Sequence, residues 1–352
     1  MKTCKNLFDR VTDFNNLYRA FVETSRGKQH QAQVQQFEYH LEERLWGIKK
    51  ELEEERYRWG RYRSFWIYDP KKRLIKAAPF RDRIVHHAIY NLLEPLFERS
   101  YISDSYACLV GRGTLAAVLR YEEFIRKLGG SGYVLKCDIS QYFPSVDHGV
   151  LKMLLRRSIG DKRVLCLLES LIDTGGEGSA KGMPIGNLTS QLFANFYLSP
   201  LDHYIKEVLR GKYYIRYMDD FVILGEEKGG IWEVLEVIRV FLDGHLKLQL
   251  NPVRVSVTPI EKGLDFLGYV IYPGGRRRIR HRNVVNFKKR LKRLEDGHAK
   301  GEIAFRHARS SIASWMGLVK HASAFRLSRS IFLERDVRNI GKRLLVKHVC
   351  KV

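Results

Sequence analysis

The sequence predicts an α+β protein in which a small β-sheet lies among helices. Strands are predicted where aromatic and β-branched residues form short runs, at 133–138, 213–216 and 221–224. Helices are predicted where apolar residues recur at helical spacing, at 31–57, 82–97 and 151–172. A third observation is the change of character after Pro273-Gly274-Gly275, where the chain becomes basic and helical.

The N-terminal part of the chain is predicted to be helical. The apolar positions of its helix are Phe37, Leu41, Leu45, Ile48 and Leu52, and acidic residues lie mostly on the other side. Residues 1–60 are therefore expected to form a helical extension. The next segment, 61–132, combines a strand-like stretch at 64–68 with the helix at 82–97 and ends at two glycines.

Three carboxylates lie at the ends of the predicted strands. Asp219 and Asp220 separate two apolar strands, and burying both unpaired would be very costly, so we expect them at an exposed hairpin tip or on a cation. Asp138 ends another strand, which Pro144 should prevent from continuing. Together the three side chains could ligate two divalent cations. Two such ions about 4 Å apart stabilise both oxygens of an in-line phosphoryl displacement, which is the chemistry of nucleotide addition.

Four motifs in this order resemble those of reverse transcriptases, over nearly the whole chain. They are Asp138, Gly182-Met183-Pro184-Ile185-Gly186-Asn187-Leu188-Thr189-Ser190-Gln191, Tyr217-Met218-Asp219-Asp220 and Phe266-Leu267-Gly268-Tyr269. The ordered set is far more specific than any one motif. The resemblance implies a right-hand polymerase fold with an antiparallel palm sheet that carries the Tyr-x-Asp-Asp hairpin. The implied domains are fingers at 61–132, a palm at 133–275 with a helical insertion at 150–180 packing toward the fingers, and a basic helical thumb at 276–352.

The resemblance also implies a role for each motif. The aspartates are the expected catalytic residues, and two Mg²⁺ ions, or Mn²⁺, are expected on Asp138, Ile139, Asp219 and Asp220. The expected nucleotide-binding residues are Arg73, Arg81, Phe143, Ile185, Gly186 and Gln191. The expected primer grip is Phe266, Leu267, Gly268 and Tyr269. Arg254 is the nearest basic candidate for a proton donor to pyrophosphate. From spacing alone, Phe143 could equally be a packed core aromatic, and a single arginine could be a surface charge.

The middle motif resembles that of one particular branch of the reverse transcriptases. Many bacterial reverse transcriptases have Gln-Gly-x-x-x-Ser-Pro there, whereas this chain has Ile-Gly-x-x-x-Ser-Gln, which is similar to the enzymes of diversity-generating retroelements. Those phage and bacterial enzymes copy a template RNA into cDNA with frequent errors opposite adenine, and the cDNA rewrites a target gene. The implied ligands are deoxynucleoside triphosphates, the template RNA and the RNA/cDNA duplex. The implied partner is a small basic helical accessory protein.

Ile185 suggests a physical source for such errors. A polar side chain beside the nascent base pair selects by hydrogen bonds, whereas isoleucine offers only shape and apolar contact, which discriminate far less. We therefore expect Ile185 to loosen nucleotide selection. The alternative is that a palm helix needs an aliphatic residue at this position.

Composition agrees with a nucleic-acid enzyme. The 62 basic and 39 acidic residues give a net charge of +23, which favours phosphate backbones, although a ribosomal-type or membrane-surface protein would show the same excess. There is no signal segment and no apolar run near the roughly 18 residues that a membrane helix needs. Five scattered cysteines show no metal or disulfide pattern. We expect a cytoplasmic protein of a bacterium or a phage-infected bacterium, without membrane association and without a nuclease domain after the thumb.

Three alternatives to the retroelement assignment remain. The first is a retron or group II intron-derived reverse transcriptase, against which the Ser190-Gln191 ending argues. The second is a phage-defence reverse transcriptase that polymerises without a template. The third is a polymerase-like protein that only binds RNA. The clustered aspartates oppose this last reading, because they would repel phosphate in a pure binder.

Overall fold

The computed structural model describes residues 6–68, 72–176 and 178–332. The chain divides into two compact units. The first contains the residues up to Gly113 together with Lys136–Val222 and Trp232–Val255. The second contains Thr114–Leu135, Ile223–Ile231 and the residues from Ser256 onwards. Among the described residues, no helix is long and apolar enough to cross a membrane.

The first unit begins with four helices. They are α1 (Phe8–Thr12), α2 (Phe14–Ser25), α3 (Ala32–Tyr39) and α4 (Leu41–Glu53). The single helix predicted at 31–57 is therefore wrong in its continuity, because the backbone of His40 leaves the helical region at φ −121° and ψ 41°. The break allows the two helices to bury separate apolar sets. Phe37 packs with Phe21 and Phe80, whereas α4 buries Leu45, Ile48 and Leu52.

A two-stranded antiparallel hairpin and a long helix follow. Strand β1 (Arg63–Ile67) pairs with β2 (Arg73–Ala77), so that Trp66 lies opposite Leu74. All five side chains of β1 are exposed. Helix α5 (Phe80–Glu98) buries an apolar stripe and packs against α2. The predicted strand at 64–68 and the predicted helix at 82–97 are thus confirmed to within a few residues.

The strands that carry the carboxylates form a sheet. They are β3 (Tyr133–Asp138), β4 (Tyr214–Tyr217) and β5 (Asp220–Gly225), and β5 lies between the other two. A two-residue connection joins β4 to β5, which only antiparallel neighbours allow. The predicted strands are confirmed. The helices that alternate with these strands along the chain are α7 (Tyr142–Ser145), α8 (His148–Ser158), α9 (Lys162–Asp173), α10 (Leu188–His203) and α11 (Lys228–Leu246).

The segment predicted to be helical at 151–172 is confirmed as helical, and it consists of two separate helices, α8 and α9. The reason is Asp161, which caps the start of α9. Its Oδ1 accepts hydrogen bonds from the backbone N–H groups of Arg163 and Val164 at 3.1 and 3.3 Å. Its Oδ2 accepts two more from Leu7 and Phe8 at 2.7 and 2.9 Å, which ties the start of α9 to α1. An N-cap inside an apolar helical pattern marks a new helix.

The second unit combines helices with short strands. It contains α6 (Thr114–Lys127), β6 (Ser256–Pro259), the antiparallel sheet β7 (Leu264–Phe266), β8 (Tyr269–Ile271) and β9 (Arg277–Ile279), and the helices α12 (His281–Ala299), α13 (Phe305–Val319) and α14 (Phe325–Phe332). Strand β6 lies next to β3, whose first residues, 133–135, belong to the same unit.

The sequence predicts two apolar stripes at helical spacing in the C-terminal segment, and the C-terminal helices pack through them. The stripe positions are Val284, Phe287, Leu291 and Leu294, and then Ile312, Trp315, Met316 and Val319. The rings of Phe287 and Trp315 stack with centroids 4.1 Å apart. Of the eight predicted stripe positions, all are buried except Met316, which is only partly buried. These packed stripes confirm the helical prediction for the segment. The predicted boundaries at 60, 132 and 275, and the names fingers, palm and thumb, stay predictions.

His86 on α5 gives a stability prediction. Its side chain is buried beside Trp59, and neither ring nitrogen has a hydrogen-bond partner among the described residues. Burial, with help from His87 and Arg83, lowers the pKa of His86 to about 3. The unfolded chain takes up a proton near pH 6.5, whereas the folded chain does not, so stability is full above pH 6.5 and falls as the pH drops toward 3.

We expect His86→Leu to remove this loss. Between pH 7.5 and pH 5, the wild type should lose about 2 kcal/mol that the variant keeps, because each pKa unit is worth about 1.4 kcal/mol. Urea unfolding at the two pH values measures this difference. His30, which lies in a turn after α2, provides the control variant His30→Leu. Equal pH slopes for wild type and His86→Leu would contradict the prediction.

Candidate active site

The turn between β4 and β5 places two of the three carboxylates. Met218 and Asp219 form the connection, and Met218 has a positive φ of 57°, which is costly for a residue other than glycine. The Nη1 of Arg216 donates a hydrogen bond to the Met218 carbonyl at 3.1 Å. This bond compensates part of the strain and fixes the turn. Asp219 and Asp220 are half-buried at its end.

The third carboxylate reaches the same place from β3. The backbone N–H of Ile139 donates to the Asp219 carbonyl at 3.3 Å, and the N–H of Asn251 donates to the Asp138 carbonyl at 2.8 Å. These bonds tie the end of β3 to the turn and to the segment after α11. Asp138 itself is buried. The structure therefore brings the three sequence-predicted aspartates together.

Their electrostatics show an excess of negative charge. Burial, and then repulsion from Asp138, raise the pKa of Asp219, which Arg73 and Arg254 oppose. Burial, followed by repulsion from Asp219 and Asp138, raises the pKa of Asp220 to about 6. Carboxylates that resist ionisation for these reasons would be relieved by a bound cation.

Arg254 forms an ion pair with one of the three carboxylates, Asp138. Its guanidinium donates to Asp138 Oδ2, and the side chain is otherwise about half exposed. The contact raises the pKa of Arg254. Sequence spacing pointed to Arg254 as a basic residue after the hairpin but did not indicate that it pairs with Asp138.

The donor set fits a hard divalent cation. Among the described residues, no three His, Cys, Asp or Glu side chains stand in the arrangement of a ready-made metal site. However, carboxylate and carbonyl oxygens are the ligands that Mg²⁺ prefers. The residues that would hold such ions are Asp138, Asp219 and Asp220, with the main-chain oxygen of Ile139. Before Asp138 Oδ2 could bind a cation, the guanidinium of Arg254 would have to move away from it.

A buried ion pair lies behind the turn. Arg216 and Asp202 are both fully buried, and the guanidinium fork donates to Asp202 Oδ1 and Oδ2 at 2.7 and 2.6 Å. The Tyr214 hydroxyl donates to Asp202 at 2.6 Å, and Arg216 also donates to the Asn195 side chain at 3.1 Å. Sequence reasoning missed this network. The available signal was an arginine inside an apolar strand, because a buried charge requires a partner.

Two arginines predicted to bind nucleotide lie in different surroundings. Arg73 on β2 is exposed and close enough to Asp219 to lower its pKa. Arg81 pairs with Glu51 at 2.5 Å and stacks over the Tyr57 ring at 4.7 Å. The structure thus brings Arg73, but not Arg81, toward the carboxylates. The nucleotide-binding role of both arginines stays a prediction.

The middle motif lies against β2. The Ile185 carbonyl accepts a hydrogen bond from the N–H of Lys76 at 2.9 Å. Gly186 has a φ of 124°, and a Cβ there would lie 3.0 Å from an Ile75 methyl group and 3.1 Å from the Lys76 carbonyl. Only glycine therefore permits this close approach. Ile185 lies in the turn before α10 rather than in a helix, so a helical requirement for an aliphatic residue does not explain it.

The remaining nucleotide-binding candidates flank this turn. Gln191 is exposed in the first turn of α10. Phe143 is half-buried beside Tyr142, with ring centroids 5.7 Å apart, and its carbonyl accepts from the N–H of Met183 at 2.9 Å. Phe143 is therefore neither a fully packed core ring nor a free surface ring.

The predicted primer grip forms a tight hairpin in the second unit. Leu267 and Gly268 connect β7 to β8 with positive φ values of 49° and 95°, the conformation of a type I′ turn. Phe266 and Tyr269 on either side are buried. The Gly268 carbonyl accepts from the N–H of Arg280 at 3.0 Å. The turn is thus held by its own strands and by the start of α12.

Three features together indicate that this protein is a nucleic-acid polymerase. They are the hairpin that carries Asp219 and Asp220, the neighbouring Asp138 and the order of the sequence motifs. The chain belongs to the reverse transcriptase (RNA-dependent DNA polymerase) family, whose model matches residues 68–271.

Known proteins resemble parts of this chain. Protein YkfC of Escherichia coli is 28% identical over 247 residues, which cover 58% of this chain and 65% of that protein. The group II intron-encoded protein LtrA of Lactococcus lactis is 22% identical, over 58% of this chain and 46% of LtrA. The chain thus spans about half to two thirds of the length of these two relatives. Among solved structures, apo telomerase from Candida tropicalis shows 11% identity and a TM-score of 0.49, covering 61% of this chain and 47% of that one.

Proposed function

We propose that this protein is an RNA-directed DNA polymerase that extends a primer on an RNA template. The observation that carries the proposal is the convergence of Asp138, Asp219 and Asp220 with raised pKa values for the last two. In the reaction, the primer 3′-hydroxyl oxygen attacks the α-phosphorus of a deoxynucleoside triphosphate, and the bond to pyrophosphate breaks. Two divalent ions, when bound, would stabilise the attacking and leaving oxygens.

The chain's own residues then bind and orient the substrates. Asp138, Asp219 and Asp220 would hold the cations, with the main-chain oxygen of Ile139 as a further ligand. Arg73 contacts the triphosphate through its planar fork, while Phe143 lies under the sugar and excludes a 2′-hydroxyl. The turn of Ile185 and Gly186 supports the nascent base pair with Gln191 beside it, and Arg81 is a second triphosphate contact. The segment 266–269 grips the primer, and the basic C-terminal helices bind the duplex backbone by its shape.

The test is primer extension on a defined RNA with Mg²⁺ and all four deoxynucleotides. Full-length cDNA that depends on the RNA strand and is lost in Asp219→Asn would support the proposal. A wild type that binds RNA but extends no primer under Mg²⁺ or Mn²⁺ would favour a protein that only binds RNA. Products made without any template would favour the template-independent alternative.

We further propose that the enzyme serves a diversity-generating retroelement. The support is the Ile-Gly-x-x-x-Ser-Gln form of the middle motif. A group II intron-derived enzyme is the second candidate, and the similarity to LtrA favours it. Deep sequencing of the extension product separates the two, because errors concentrated opposite adenine support the retroelement and faithful cDNA supports the intron-derived enzyme.

Ile185 provides a sharper form of this test. We expect Ile185→Gln to lower the frequency of errors opposite adenine by about tenfold, because a side chain that forms hydrogen bonds discriminates more strongly than an apolar one. The error spectrum is measured by sequencing cDNA made from one RNA. Ile185→Val, which keeps the apolar character, is the matched control. An unchanged spectrum in Ile185→Gln would show that this position does not set fidelity.

The proposed protein partner is the small basic helical accessory protein of such retroelements. Co-expression with a small basic helical accessory protein of a diversity-generating retroelement, followed by size-exclusion chromatography, tests for a complex. Joint elution is the expected result. Separate elution, with the template RNA also present, would contradict the partner assignment.

A further inference from the structure

The β1–β2 hairpin exposes an unusual density of large apolar side chains. Phe65, Trp66 and Ile67 are 40%, 50% and 40% exposed, and Tyr68 beside them is 70% exposed. Aromatic rings dominate the binding energy of many interfaces because each buries a large area. A cluster of exposed rings on a two-stranded hairpin therefore indicates a binding site. The residues on the two faces of the hairpin indicate which kind of ligand binds there.

One face of the hairpin belongs to the proposed catalytic site. Strand alternation and the pairing of Phe65 with Ile75 place Phe65, Arg73 and Ile75 on one side. Arg73 lowers the pKa of Asp219, and the Ile75 methyl group lies against Gly186. The opposite side carries Trp66 and Tyr68, with Leu74 across from Trp66. These two exposed rings therefore point away from the residues that bind the nucleotide in the proposed function.

A lysine completes the second face. The Nζ of Lys72 lies 4.5 Å from the centre of the Trp66 ring and 6.0 Å from that of Tyr68. Two exposed rings with a cation between them offer stacking surfaces for bases and a charge for phosphate. This combination is typical of sites that bind single-stranded nucleic acid with little sequence preference.

We propose that Trp66, Tyr68 and Lys72 form a stacking platform for unpaired bases of RNA. The inference rests on the proposed function, because the single-stranded RNA of a template-copying enzyme is the strand that has not yet been copied. Trp66 and Tyr68 stack on successive bases, and Lys72 contacts the phosphate that joins them. The net charge of +23 favours the same ligand over an apolar protein surface.

The test measures the affinity for two RNA/DNA duplexes by fluorescence anisotropy, without nucleotides or turnover. One duplex has a short unpaired 5′ RNA overhang and the other is blunt. In the variant Trp66→Ala/Tyr68→Ala, binding of the overhang duplex should weaken on the order of tenfold or more, because each lost base stack costs about that much. Binding of the blunt duplex should stay unchanged. For wild type, an overhang of abasic sites should lose the same part of the affinity that the double alanine variant loses, because it keeps the phosphates but offers no base to stack.

Two matched variants test whether stacking on Trp66 and Tyr68, rather than the presence of any exposed aromatic ring, accounts for the affinity. Trp66→Phe/Tyr68→Phe keeps the rings and should keep most of the affinity for the overhang. Tyr39→Ala removes a ring that is 84% exposed on α3 and should change neither affinity. Thermal unfolding should be the same in all variants, since the side chains are exposed.

The outcomes distinguish this inference from the proposed function. An active polymerase whose affinity for the overhang does not depend on Trp66 and Tyr68 would overturn the platform and leave the polymerase assignment intact. A loss of affinity specific to the overhang supports the platform even in a chain that extends no primer. Equal weakening of binding to both duplexes would overturn the assignment to unpaired bases. A protein partner that binds the wild type but not the double alanine variant would assign the rings to that partner instead.

Discussion

Asp219→Asn should slow nucleotide incorporation on the order of 10³-fold or more, because in the proposed function the variant loses a charged ligand for the ions that would stabilise the transition state. The amide keeps the size of the side chain, and the backbone of the turn is held by Arg216 and Ile139. The loss should therefore lie in the rate of the chemical step rather than in primer–template affinity. Single-turnover extension by one nucleotide measures that rate.

The thermal stability of Asp219→Asn distinguishes a loss of catalysis from a loss of folding. Burial and repulsion by Asp138 raise the pKa of Asp219, so the ionised residue destabilises the metal-free fold. Asp219→Asn should consequently unfold at an equal or higher temperature than wild type in a chelator, and RNA should bind it at least as well. Asp243→Asn, an exposed carboxylate on α11, is the control and should change neither rate nor stability. An Asp219→Asn variant with a near-normal rate would remove the residue from catalysis.

Much of the site could be predicted because its residues carry local signals. Asp138, Asp219 and Asp220 interrupt or end apolar strands, and a carboxylate in that position has few structural explanations. Gly186 and Gly268 lie at positive φ in tight turns, so their identity follows from backbone geometry that a short motif specifies. The C-terminal helices were predictable for a similar reason, because periodic burial is a local property of sequence.

The misses concern interactions between distant parts of the chain. His40 and Asp161 break helices whose apolar periodicity continues through them, and the cap of Asp161 includes the N–H groups of Leu7 and Phe8 from α1. Arg254 reaches Asp138 across 116 positions of sequence. Such pairings depend on the packing of whole elements, which spacing does not encode.

The largest stability effect is expected at the buried pair behind the turn. Arg216→Met should destabilise the fold by about 3–5 kcal/mol, because it leaves the Asp202 carboxylate buried without its cation. The shift of the urea midpoint measures this loss. Arg239→Met is the matched control: Arg239 pairs with Glu236 at 2.9 Å on the exposed side of α11, and its loss should cost less than about 0.5 kcal/mol.

A second variant separates the stability role of Arg216 from its positioning of the turn. In Arg216→Met/Asp202→Leu no charge is left buried, so much of the lost stability should return. The Met218 carbonyl still lacks the Nη1 donor that supports its positive φ, so incorporation should stay slow at a temperature where the double variant is fully folded. The defect should appear in the rate of the chemical step and not in primer–template affinity. Recovery of stability and rate together would instead mean that the pair only holds the fold, and that the turn keeps its geometry without Arg216.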